Sequence, residues 1–231
     1  FQMFFGMTEG TPRHQASSAQ SLGEKEYYSD AKECYYKAIK AQPDNLKIAE
    51  DMMAMLSKGN LYGEALSIVG HFNMTIPQTQ KLWHNLTLKI KADYKDYQAK
   101  YAIKEMTLSK LGNYYFAPAV FAGAMDMQIF IVNPESTYTT VDLAYLKNNG
   151  IAFENKGQIS VSASNGNGQE INGTKIIIPE LMFGAFSLKN VNAIACDNCA
   201  FVAGKGILNQ LSVQTSQVAN TQVGILSMKE K

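Results

Sequence analysis

Cysteine is scarce in this chain of 231 residues: Cys34, Cys196 and Cys199 are the only three, too few for a disulfide framework or for a four-thiolate zinc site within one chain. The three histidines, His14, His71 and His84, share no metal-ligand spacing, so no metal and no cofactor is expected. Net charge is nearly absent at +1, which leaves no electrostatic footprint for nucleic acid or for an anionic membrane surface. No apolar run approaches the ~20 residues that a membrane-spanning helix needs. With 46% apolar residues, the chain can still bury a real core as one large or two small domains, without metals or staples.

Charge is spread unevenly. Residues 1–110 carry 14 of the 21 Lys/Arg and 12 of the 20 Asp/Glu, the mark of solvated helices, and the remainder is poor in surface charge. The Phe1-Gln2 start sets residues 1–11 aside as a tag remnant or disordered start. Within residues 12–110 a repeat is visible: Tyr28, Ala31, Tyr35, Ala38 and Pro43 recur thirty-four positions later as Tyr62, Ala65, Val69, Phe72 and Pro77. A small residue lets antiparallel helices approach closely, and Pro tolerates the first position of a helix because its missing N–H does no harm there. This spacing resembles tetratricopeptide helix pairs, with a weaker first helix at Arg13–Leu22 and a third segment led by Leu82, Trp83 and Leu86. Two roles stand open for it: a peptide-binding groove lined by Lys47, Glu50, Ala54 and Lys58, or a brace for the second half. Met52, Met53 and Met55 read as adaptable core.

From Gly112 onward short apolar runs are broken by turn residues, which predicts an all-β unit over 112–231. The expected class is α+β: helical hairpins, then a small barrel. Over Asn113–Val132 one strand, a turn at Gly123 and a second strand form an opening strand pair. Asn133, Pro134, Glu135, Ser136 and Thr137 follow, then a Thr-rich stretch, a short helix capped by Asp142, and Gly150-Ile151. Ile159–Thr174 reads as a hairpin whose Asn165-Gly166 is a type I′ turn signal; Asn167-Gly168 offers a second register. Another strand pair turns near Gly184. Phe201–Leu211 supplies an apolar run, Gly204 and a short helix, and Gln222–Met228 a last strand.

That layout resembles the retropepsin-like aspartic proteases, in which an apolar strand delivers Asp-Thr-Gly-Ala-Ser. Asn133 then stands where the catalytic aspartate would be. The family mechanism needs two carboxylates that share a proton, and an amide does not titrate in the working range. Pro134 lacks both the hydroxyl and the N–H that Thr supplies; Glu135 puts a charged stem where the family uses Gly. The resemblance therefore implies a pseudoprotease without catalytic residues, which binds a protein or extended peptide through Asn133, Glu135, Asn165 and Gly166, by strand addition. Two alternatives stay open: an acid peptidase that uses Glu135, and a structural envelope-associated protein. Ser136, Thr137, Thr139 and Thr140 have no marked base beside them. Gly204 matches the glycine behind the active-site loop, where a side chain would strike the loop of Asn133. The resemblance further implies a homodimer, against a monomer whose helical half caps the same surface, and a periplasmic or secreted location. Cys196-Asp197-Asn198-Cys199 reads as a local disulfide, with a redox dithiol or half of a zinc site as the alternatives.

Overall fold

The structure, a computed structural model, describes residues 24–101, 105–162, 170–217 and 223–231. Residues 1–11, the expected helix at 13–22 and the turn residues Asn165, Gly166, Asn167 and Gly168 lie outside these. The first half is helical: α1 (Glu24–Ala41), α2 (Leu46–Lys58), α3 (Tyr62–Thr75), α4 (Thr79–Leu82) and α5 (His84–Lys100). The repeated positions fall on α1 and α3, and the small residue of each copy, Ala31 and Ala65, is fully buried, as close helix approach requires. Pro43 does not open a helix. It lies in the turn before α2, whose cap position is Asn45, because Asn45 and Leu46 turn back onto the carbonyls of Gln42 and Asp44.

Helix α3 organises the molecule. It is buried on nearly every side, through Ala65, Leu66, Ile68, Val69 and Phe72, because α2 and α5 cover one flank and strands cover the other. An apolar circumference marks a helix enclosed by protein rather than one at a surface. Gly70 makes the helix–strand approach feasible: a Cβ there would stand 2.7 Å from the Phe116 ring. Met52, Met53 and Met55 are buried in this helical core. Lys47 pairs with Asp51 at the surface, whereas Glu50 accepts a bond from the buried Trp83 indole at 2.9 Å.

The second half comprises β1 (Glu105–Lys110), β2 (Tyr115–Phe121), β3 (Gln128–Val132), β4 (Thr140–Asp142), α6 (Leu143–Asn148), β5 (Glu154–Ser162), β6 (Glu170–Phe183), β7 (Phe186–Cys196), β8 (Val202–Ala203), α7 (Lys205–Leu208), β9 (Leu211–Gln217) and β10 (Gly224–Glu230). The helical half was expected to reach residue 110. It ends at Lys100, since Met106 and Leu108 alternate inward at strand period and pair with Met228 and Leu226.

Strands run in the order β2-β3-β8-β4-β7-β6, and β2 returns to β6 through Ala119, Val120 and Phe121 against Phe183, Met182 and Leu181. That last pairing closes a six-stranded barrel. β5 pairs with the first part of β6, and β2 takes over the same edge further on. Pro179, which has no N–H to offer a ladder, sits where the edge changes partner. β1, β10 and β9 form a separate antiparallel sheet. Phe121, Phe130, Phe183 and Phe186 fill the barrel interior, while Val120 and Ile129 on the outer wall join the helical core. Barrel and helices thus share one wall. At Gly184 (φ +56) the β6–β7 hairpin turns in two residues between the paired Phe183 and Phe186, where a side chain would also strike Met106.

Candidate functional site

The loop that follows β3 carries the candidate residues, because the strand ends on the buried Val132 and the partly or fully exposed Asn133, Pro134 and Glu135 come next. β3 and β8 run parallel, Ile131 beside Val202 and Val132 beside Ala203. The Asn133 N–H then donates to the Ala203 carbonyl at 3.0 Å. The chain turns at once. Asn133 Oδ1 accepts the Glu135 N–H at 3.1 Å, and its carbonyl accepts the Ser136 N–H at 3.0 Å. Asn at the first position and Pro134 at the second are what such a β-turn favours, Asn by capping its own backbone and Pro by fixing φ.

The loop is clamped from behind. Gly204 fits beneath it with no room to spare: a Cβ would lie 2.2 Å from the Tyr138 carbonyl oxygen and 2.7 Å from that of Ser136. Thr139, 1% exposed, accepts the Gly204 N–H with Oγ1 at 3.2 Å. Lys205 N–H donates to the Ser136 carbonyl at 3.0 Å. Ser136 Oγ donates to the Tyr138 carbonyl at 2.8 Å, which commits that hydroxyl to holding the turn. Thr140 Oγ1 donates to the Ala200 carbonyl at 2.7 Å.

Chemically this is a positioned turn. Asn133 is half-buried and its side-chain oxygen already serves the turn, Pro134 is half-buried, and Glu135 and Thr137 face solvent. Asp142 caps α6, accepting from Ala144 N–H at 2.8 Å and Tyr145 N–H at 3.4 Å. Among the described residues, no three His, Cys, Asp or Glu cluster with metal-binding geometry. His71 packs edge-on against Phe72, and burial holds its imidazole below the usual value. Cys196 is joined to Cys199 by a disulfide, Cα atoms 5.4 Å apart.

Of the residues expected to form the site, Asn133 and Glu135 sit together in the turn, and Asn165 and Gly166 fall outside the described residues. Thr139 and Tyr138 carry more of the loop's geometry than sequence reasoning assigned to them. Asn133-Pro134 was itself a turn signal, whereas nothing in the sequence marked Thr139 among four neighbouring hydroxyls. An open polar groove of about 620 Å³ lies elsewhere, between Lys110, Tyr115, Thr215, Gln217 and Gly224.

The fold is a helical unit walled onto a six-stranded barrel, with a clamped Asn-Pro turn at the end of an interior strand. No protein-family model and no curated protein matches the chain. Among solved structures, it is similar to a retropepsin-like aspartic protease from Rickettsia conorii, at 12% identity and a TM-score of 0.39, over 55% of this chain and 92% of that one.

Proposed function

We propose that this chain is a non-catalytic recognition protein, a degenerate retropepsin-like barrel joined to a tetratricopeptide-like helical module, which holds an extended peptide or protein segment at the Asn133 turn, with Asn165 and Gly166 as the further expected contacts. One observation carries the reading: the amide oxygen of Asn133, the residue that the sequence resemblance sets at the family's acid, accepts the Glu135 N–H. That group orders a loop and does not titrate in the working range, so it serves as neither acid nor base. The clamp behind it supports recognition too, since a pre-ordered loop loses little entropy when a strand-like ligand docks. A homodimer and a periplasmic or secreted location belong to the same proposal.

The experiment is an extended-peptide library offered at pH 3–7, read for cleavage and for retention. Retention without cleavage, weakened about tenfold by Asn133→Ala, is the expected result. Cleavage abolished by Glu135→Gln would establish the acid peptidase instead. Neither retention nor cleavage would leave the structural, envelope-associated role.

A further inference from the structure

We propose that the Cys196–Cys199 disulfide is a redox-controlled clasp on the Asn133 loop, opened by a dithiol reductant. Strand order supplies the first ground. β7 ends at Cys196 and β8 begins at Val202, yet the two are not neighbours, because β4 lies between them. The connector 197–201 therefore passes across the end of β4, where Asp142 stands beside Cys196. Closing residues 196–199 tightens the connector that borders the slot in which β4 sits, Thr140 against Ile194 on one side and against Val202 on the other.

Contacts just beyond the bridge supply the second ground. Ala200, next to Cys199, accepts the Thr140 hydroxyl at 2.7 Å, and the Phe201 carbonyl accepts the Ile131 N–H at 2.9 Å. The Phe201 ring packs 5.2 Å from both Phe130 and Tyr145. Three residues further on is Gly204, directly beneath the turn. The bridge is thus tied to the rear wall of the loop. Asn198 is held at φ +57, a left-handed conformation that a non-glycine residue adopts at some cost, and opening the bridge lets the connector leave it.

Access is one-sided. Cys196 is buried, 3% exposed, whereas Cys199 is half-exposed, so an incoming thiolate reaches Cys199 Sγ. It forms a mixed disulfide there as the Cys196–Cys199 bond breaks, and Cys196 leaves as a thiolate that takes a proton. The second thiol of the reductant then displaces Cys199. The products are two protein thiols and one oxidised dithiol, a balanced two-electron exchange. Cys34 lies in the helical half and takes no part.

Amide hydrogen exchange on the peptide-free protein tests this. Reduced dithiothreitol is expected to speed exchange about tenfold in residues 131–141 and 200–206 while α3 and the β6–β7 hairpin stay protected. Cys199→Ala should exchange fast without reductant and no longer respond to it, and Cys34→Ser should respond like the wild type. Equal exchange in both redox states would overturn the proposal. So would a rise across the whole barrel, which would make the bridge a general staple. The consequence for ligand retention rests on the function proposed above; exchange reads loop order with no ligand present, so either idea can fail alone.

Discussion

A single missing Cβ at residue 204 decides whether the turn can exist. Gly204 has ordinary φ, −108°, so its role is room rather than backbone freedom. Gly204→Ala would place a carbon 2.2 Å from the Tyr138 oxygen, and backbone must move because no flexible side-chain tip can yield. Overpacking of this kind costs about 1–3 kcal/mol, which lowers Tm by roughly 2–12 °C in a chain of this size. Thermal unfolding measures it; a Tm within one degree of wild type would show that the loop is not clamped. This contact was legible in the sequence, as the glycine placed behind Asn133. The amide's turn-capping role was partly legible, since Asn-Pro favours a turn whatever fold surrounds it, but a residue read chiefly as a lost acid hides what the amide does in its own right.

Helix α6, with six residues, is too short to stand on propensity, because helix nucleation is unfavourable and few bonds repay it. Its ends hold it. At the start the Asp142 carboxylate takes two orphan N–H groups. At the end Gly150 adopts φ +62, with its N–H on the Lys147 carbonyl and the Ile151 N–H on that of Leu146. That is the Schellman arrangement, completed by burial of both Leu146 and Ile151. Asp142→Ala should cost about 1 kcal/mol, and Gly150→Ala about as much through strain at positive φ. Urea unfolding of the two single variants and the pair would measure both; no loss in Asp142→Ala would mean the cap is idle. Both caps were visible in sequence, since each is one residue type at one position. β9, Leu-Ser-Val-Gln-Thr-Ser-Gln, was not. Its side chains are mostly exposed, so no apolar alternation announces it, and its backbone pairing with β10 is what defines it. β1 was hidden differently: its two inward residues, Met106 and Leu108, are too few to distinguish strand from helix before β10 is known to lie alongside.

Across the whole molecule, helices and strands meet around a buried polar node as well as an apolar wall. Glu64 on α3 is 4% exposed and meets Lys32 of α1 at 3.2 Å. Tyr36 of α1 lies beside Ser109 of β1 and feels the Glu64 charge, and Ser67 donates to the Ser109 carbonyl at 3.3 Å. Burial pushes the Glu64 carboxyl above its ordinary value of 4.5, and Lys32 offsets that only in part. A carboxyl raised in the fold adds stability below its unfolded pKa, and that contribution is lost as pH rises through the folded one. Wild type should therefore lose stability relative to Glu64→Gln as pH climbs upward from about 4.5. His71, whose pKa is lowered by burial, titrates alike in both proteins and drops out of the difference. Lys32→Met, which strands the carboxylate, should cost about 3 kcal/mol near neutrality and less in acid, where Glu64 takes a proton. Urea unfolding of the three proteins between about pH 4 and 8 separates the cases. Parallel curves for wild type and Glu64→Gln would mean that the carboxylate reaches water, and that the junction of α1, α3 and β1 is held by its apolar contacts alone.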